Sequence, residues 1–315
     1  MVFIEVIKNT SLKTIKNKTS NSYIILLIGI AFFACACNSS NTTREVEKDT
    51  VIPIDTLFLG ADSSQAEMLN TLIFVYEGLS PYKKVIPIYA KEKSLYAYLQ
   101  NNKVDLILRS YPLTQVERKE ISNRKLNAKE FSVWHDALAV IANKNFEQNS
   151  ITEQDLQIAL LGKHTSLKVL IDKANTSAYD IICSNYFSDP SLINAYAAGT
   201  EENIIAQVAK NTNYIGLLSS GRFSGYKRSD DSLLKQVMLL GVVPKNKQNP
   251  EYPFQDQLYN KVYPLARTIH SIDVGALDGL ASSFVAYILS ERGQRVILKS
   301  GLLPAIIPPR TIEIN

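Results

Sequence analysis

Short apolar runs alternate, over most of the chain, with longer segments whose apolar residues recur at helical spacing. Residues 56–60, 85–89 and 104–108 have the composition of buried strands. The segments that follow carry Ser/Thr-x-x-Glu helix-start signals, at Ser64 and at Thr114. Strand–helix–strand alternation is typical of parallel sheets covered by helices. The pattern therefore predicts an α/β fold.

The second half of the chain keeps this alternation. With 315 residues, the chain is long enough for two domains or for one two-lobed domain. Hydrophobic residues make up 46% and charged residues 20%, which excludes a wholly disordered or collagen-like chain. Strands are predicted at 137–142, 168–171, 214–218 and 237–243, and helices at 152–161, 177–187, 200–211, 279–290 and 293–300.

The first 36 residues have the features of an export signal. Four lysines precede residues 23–34, an uncharged apolar run of 12 residues. That run is too short for a membrane span of about 20 residues. The sequence Ala-Cys-Ala-Cys then ends at Cys37 and resembles the lipobox of bacterial lipoproteins, in which the cysteine is lipidated after cleavage. Cys37 is preferred because alanine precedes it at both −1 and −3. Cys35 is the alternative site, and a plain signal peptide or an uncleaved anchor is the alternative interpretation.

Cleavage before Cys37 leaves residues 37–54 as a polar tether and places the protein in the cell envelope, on the extracytoplasmic side of a membrane. The signal removes four lysines and one glutamate, so 30 basic and 29 acidic residues remain. This balance gives no indication of a nucleic-acid partner. With Cys37 lipidated, Cys183 is the one remaining thiol, so no intramolecular disulfide can form. A monomer is expected.

Six stretches, in this order, resemble the substrate-binding proteins of ABC uptake systems, in particular the phosphate-binding branch. They include Gly-Ala-Asp-Ser-Ser after the first strand, Arg-Ser-Tyr-Pro-Leu-Thr after the third, and Tyr-Pro-Leu-Ala-Arg near the C-terminus. The stretches span residues 60–64, 104–114, 151–163, 175–177, 263–267 and 284–294.

The resemblance implies two α/β lobes of the periplasmic-binding-protein type, each with a mostly parallel sheet flanked by helices. Two crossing strands would join them, near residues 139–143 and 239–244. Lobe one would comprise residues 55–140 and 245–315, and lobe two residues 141–244. Ligand would bind in the cleft between the lobes, which closes by a hinge motion.

An oxyanion site needs hydrogen-bond donors held at helix N-termini. Three predicted helix starts carry hydroxyl groups that the resemblance brings to the cleft, and Arg109 adds a charged bidentate donor. The predicted ligand-binding residues are Ser63, Ser64, Arg109, Ser110, Thr176 and Ser177. The resemblance implies an inorganic oxyanion, phosphate first, delivered to an ABC permease.

The sequence departs from the phosphate-binding pattern in two places. Arg109-Ser110 stands where those relatives have an aspartate that accepts a proton from phosphate, although Asp62 could take that role. Asn175-Thr176-Ser177 replaces a Ser-Gly-Thr stretch. A sensory or structural lipoprotein with an altered anion site is therefore the second hypothesis, and another small anion is the third.

An enzyme is not expected. His135, His164 and His270 lie far apart in the sequence, and none has a partner at metal-ligand spacing. No phosphate-binding Gly-rich loop or nucleophile-elbow motif is present. No cofactor or metal is predicted.

Overall fold

The computed structural model describes residues 55–172, 176–187, 189–228, 232–275 and 279–309, without the side chains of Ser177 and residues 225–228. The predictions for the signal, for Cys35 and Cys37, and for the tether lie outside these residues. Within the described residues, no helix is both long and apolar enough to cross a membrane.

The first part of the sheet contains β1 (Asp55–Ala61), β2 (Lys83–Tyr89), β3 (Leu106–Arg109), β10 (Ala266–Asp273) and the first half of β4 (Lys129–Asn143). They lie in the order β2-β1-β3-β10-β4. β1 is parallel to β2 and β3, whereas β10 is antiparallel to both of its neighbours. The short β11 (Leu303–Pro304) also pairs with β4.

The second part of the sheet is built on the other half of β4. There, β4 pairs antiparallel with β8 (Tyr214–Ser219) and β9 (Val237–Val243). β6 (Lys168–Ile171) is parallel to β8 and to β7 (Tyr196–Ala197), and β5 (Ser150–Thr152) is parallel to β9. The outer strands are thus parallel as expected, while the central strands are antiparallel because the chain crosses between the two halves there.

Helices cover the sheet and follow the strands in sequence. Three short 3-10 turns, at Ser63–Gln65, Pro190–Leu192 and Leu234–Gln236, complete the described elements. The helices are α1 (Ala66–Leu79), α2 (Glu92–Gln100), α3 (Gln115–Asn123), α4 (Glu153–Leu160), α5 (Ser177–Tyr186), α6 (Glu201–Lys210), α7 (Ser220–Arg228), α8 (Gln255–Tyr259), α9 (Leu280–Leu289) and α10 (Glu291–Lys299).

The C-terminal helices belong to the same hydrophobic core as the N-terminal strands. Phe284, Ile288 and Ile297 are fully buried together with Leu57 and Leu59 of β1. Aromatic packing adds to this core, because the rings of Tyr76 and Phe284 meet edge-on with centroids 5.0 Å apart. The C-terminal helices therefore pack with the N-terminal strands.

A second core lies on the other half of the sheet. It contains Leu138 and Val140 of β4 together with Ile215 and Leu217 of β8. Leu258, Tyr263 and Leu265 also belong to this core. The Tyr263 hydroxyl donates a 2.7 Å hydrogen bond to the carbonyl of Leu138. The segment before β10 therefore packs with the second half of the molecule.

Candidate functional site

The turn after β1 forms the first wall of the candidate site. Asp62 caps the 3-10 turn, and its Oδ1 accepts from the amide of Ser64 at 2.9 Å. The capping box predicted for Ser64 and Glu67 does not form, because α1 begins at Ala66 after Gln65, whose side chain makes no cap hydrogen bond. The Ser64 hydroxyl instead accepts from Arg267 at 3.1 Å.

Arg267 and Asp136 form a buried ion pair where β10 and β4 pass between the two halves of the sheet. Arg267 Nη2 lies 2.5 Å from Asp136 Oδ2, and Nε lies 3.1 Å from the same oxygen. Asp136 also accepts from the hydroxyls of Ser219 and Ser220 at 3.1 and 2.7 Å. Burial alone would raise the pKa of Asp136, but Arg267 and the Ser220 hydroxyl hold it below its usual range. Asp136 is therefore a charged anchor for the guanidinium.

Ser110, the predicted donor after β3, faces a carboxyl group. Its amide donates to Glu92 Oε1, and its hydroxyl donates to Glu92 Oε2 at 2.9 Å. Glu92 is the first residue of α2 and is 0% exposed. Burial raises the pKa of Glu92, although the two hydrogen bonds from Ser110 and the charge of Arg267 oppose the rise.

Arg109 does not face the other predicted donors. It is 0% exposed, and its Nη1 and Nη2 donate to the two oxygens of Glu117 at 2.8 and 2.6 Å. Nε and Nη2 also donate to the carbonyls of Tyr111 and Pro112, at 3.0 Å each. The guanidinium thus holds the turn after β3 against α3. The predicted capping box of Thr114 and Glu117 does form there.

The other half of the molecule contributes two more carboxyl groups. The Thr176 hydroxyl donates to Asp172 Oδ1 at 2.8 Å, and both residues are buried. The amide of Ser219 donates to Glu201 Oε1 at 2.7 Å. Burial raises the pKa of Glu201 to about 8, against the effect of that hydrogen bond. The Ser177 backbone begins α5, and its side chain lies outside the described atoms.

Cavities adjoin the Arg267–Asp136 pair. A small one, of about 30 Å³, is lined by Gln65, Trp134 and Asp136 among others. The Gln65 carboxamide is 3% exposed, and neither of its polar atoms has a hydrogen-bond partner.

A larger cavity beside Arg267 has a volume of about 640 Å³. Its lining includes Lys93 and Ser110 from one half of the molecule, Asp180 from the other, and Arg267 between them. It is large enough for a small solute. No group of three or more His, Cys, Asp or Glu side chains suited to a metal ion occurs among the described residues.

The predicted site residues thus have different outcomes. The structure brings Ser64 and Ser110 to the surroundings of Arg267, through the hydrogen bond to Ser64 and through Glu92. Thr176 is linked to this group less directly. Its hydroxyl donates to Asp172, whose charge raises the pKa of Glu201, and the charge of Arg267 lowers the same pKa. Arg109 lies apart, in its own ion pair. Sequence reasoning missed Arg267 as the central cation, although it ends the Tyr-Pro-Leu-Ala-Arg stretch.

Comparison with known proteins identifies the family. Residues 39–292 match the model of the PBP superfamily domain, so the chain belongs to that superfamily. No curated protein sequence matches the chain.

Solved structures share the fold at low sequence identity. One from Clostridium perfringens, assigned as a phosphate ABC transporter substrate-binding protein and containing bound phosphate, is 17% identical, with a TM-score of 0.65 over 80% of this chain and 100% of that chain. An ABC-type phosphate transport receptor from Vibrio cholerae is 17% identical, with a TM-score of 0.61 over 78% and 99%. The two-lobed α/β fold predicted from the sequence is confirmed.

Proposed function

We propose that this protein is a lipid-anchored, extracytoplasmic solute-binding protein that delivers a small oxyanion, phosphate first, to an ABC permease. The observation that carries the proposal is the meeting of Ser64 and Ser110 around the buried Arg267, beside a cavity of about 640 Å³. Hydroxyls, strand-end amides and a guanidinium are the donors that an oxyanion requires. The fold shared with phosphate-binding proteins supports the same ligand class.

The second candidate is a sensory or structural lipoprotein whose anion site is altered. A specific observation favours it, because carboxyl groups of the protein already accept hydrogen bonds from the predicted donors. Asp62 accepts from Ser64, Glu92 from Ser110 and Asp172 from Thr176. A doubly charged anion would meet these carboxylates at the same positions. Under both candidates the protein binds or senses and does not catalyse.

Titration calorimetry of a soluble form that begins at residue 38 separates the two candidates. Phosphate, sulfate, molybdate and a small organic acid would each be titrated near neutral pH. The first candidate predicts saturable binding of at least one inorganic oxyanion at micromolar concentration. Absence of heat for every anion at millimolar concentration would contradict it and favour the altered site.

The lipid anchor is tested by acyl labelling of the full chain. Cys37→Ala should abolish labelling and release the protein into the soluble fraction, because the tether is polar. Cys35→Ala is the matched control and should leave labelling intact. Labelling that survives Cys37→Ala and is lost in Cys35→Ala would move the lipid to Cys35.

A further inference from the structure

Glu92 is a buried carboxyl group seated on the donors of Ser110. It is 0% exposed, and it accepts from both the amide and the hydroxyl of that serine, the latter at 2.9 Å. These are the two groups that the anion hypothesis assigns to a ligand. An oxyanion that uses them must displace the Glu92 carboxyl group.

The local structure explains why Glu92 reaches this position. β1 pairs with both β2 and β3 in parallel, so the turns that follow β2 and β3 lie at the same edge of the sheet. Glu92 follows β2 at the start of α2, where the helix dipole favours a negative charge. The N-cap residue, Lys91, makes no side-chain cap hydrogen bond. Glu92 therefore occupies the helix N-terminus as a bound anion would.

We propose that Glu92 is a specificity-determining residue, a built-in competitor that keeps dianions off the Ser110 donors while its carboxyl group is charged. This inference rests on the proposed oxyanion function. The site would then prefer anions of low charge, and it would bind dianions well only while Glu92 is neutral.

The charges around Glu92 set when it becomes neutral. Asp62 faces it from the turn after β1, Arg267 from β10, and Arg109 and Tyr111 from the end of β3. Burial is the largest effect and raises the pKa of Glu92. The neutral form therefore persists to higher pH than for an exposed glutamate, and anion binding should strengthen as the pH falls through the folded-state pKa.

Inorganic sulfate is the probe, because it stays a dianion from about pH 5 to about pH 8, so that changes in affinity report on the protein. Calorimetry of the soluble form at about pH 8 should show that Glu92→Gln binds sulfate at least about tenfold more tightly than the wild type. The difference should shrink at about pH 5. Glu147→Gln, the same change at an exposed position, is the control and should bind like the wild type.

Each result decides between the claims. Equal affinities in the wild type and Glu92→Gln overturn the role of Glu92 and leave the oxyanion function intact. No binding of sulfate or phosphate by either protein overturns both. If Glu92→Gln fails to fold, the wild type still tests the inference, because sulfate affinity that does not rise between about pH 8 and about pH 5 overturns it.

Discussion

The Arg267–Asp136 pair shows how one residue can serve both the fold and the site. Both side chains are almost fully buried, and Asp136 gathers two serine hydroxyls as well as the guanidinium. Burial alone would lower the pKa of Arg267, but Asp136 outweighs it and raises that pKa. The pair therefore stays ionised and gives the cleft a fixed positive group.

Removing one partner should be costly. Arg267→Met leaves the Asp136 carboxylate buried without its counter-ion, so we expect a loss of about 3–5 kcal/mol in the free energy of unfolding. Urea unfolding of the soluble form measures it. Arg295→Met is the matched control, because the Arg295–Glu291 pair is exposed, and it should cost less than about 1 kcal/mol. Similar losses in the two variants would refute a special role for the buried pair.

Glu201 should make stability depend on pH. Its folded-state pKa is raised to about 8, above the ordinary value of 4.5, so its stabilising contribution is complete below the ordinary value and is lost as the pH rises through about 8. At about pH 9, urea unfolding should therefore show Glu201→Gln to be more stable than the wild type by on the order of 1–3 kcal/mol. At about pH 5 the two proteins should be about equally stable. Glu147→Gln should show no such difference, and a wild-type profile parallel to that of Glu201→Gln would count against the prediction.

The serines of the candidate site could be predicted from the sequence better than the partners of their hydrogen bonds. Ser64 and Ser110 follow strands, and this position alone places them at the sheet edge. The partners of their hydroxyls, Arg267 for Ser64 and Glu92 for Ser110, come from other elements. Their pairing depends on the order of strands in the sheet, which the one-dimensional pattern does not contain. Arg109 was assigned to the cleft by the family resemblance, which gives no sign of its ion pair with Glu117.

Among the elements, strands with continuous apolar sequence were predictable and polar ones were not. β6 and β9 match the predicted residues 168–171 and 237–243. β10 and the first half of β4 were missed, because they bury polar residues such as Arg267, Ser271 and Asp273 by pairing them with neighbours. Burial of these residues follows from the antiparallel crossing and not from their hydrophobicity.

The packing of α6 on β8 depends on the absence of a side chain at Gly216. A Cβ atom there would lie 2.3 Å from Ile204 Cγ2 and 3.0 Å from Ile141 Cγ1. Gly216→Ala should therefore lower the free energy of unfolding by about 1–3 kcal/mol. Gly78→Ala is the control, since nothing lies within 4 Å in the helix α1, and it should stabilise by about 0.5–1 kcal/mol. Urea unfolding compares them, and the same sign in both would contradict this account.

At the scale of the whole molecule, the two cores support a two-lobed arrangement, and its boundaries remain a proposal. Lobe one was predicted as residues 55–140 and 245–315. Because Leu258, Tyr263 and Leu265 pack in the core of the other half, we propose that lobe two extends to residue 265. The second crossing would then lie between Leu265 and Ala266, beside the first crossing at Ala137.

One ion pair joins α2 to α5, which the proposed boundaries place in different lobes. Lys93 Nζ lies 2.9 Å from Asp180 Oδ1 at the cavity of about 640 Å³, and the Asp180 carboxylate raises the pKa of Lys93. The Lys93 side chain is 59% exposed, so the pair should contribute at most about 1 kcal/mol. That is enough to shift a balance between closed and open lobes by up to about fivefold.

Lys93→Met should therefore lengthen the mean distance between the lobes. Fluorescence energy transfer between dyes on Lys119→Cys and Lys210→Cys, in a soluble Cys183→Ser background, measures that distance. Both positions are exposed, and the proposed boundaries place them on opposite lobes. Added salt should lengthen the distance more in the parent protein than in Lys93→Met, since the Lys93–Asp180 pair is gone there and the Arg222–Glu67 pair remains. Lys247→Met removes the Lys247–Glu251 pair, which lies within one lobe, and should leave the distance unchanged. Equal distances in all three proteins would show that the Lys93–Asp180 pair does not hold the cleft closed.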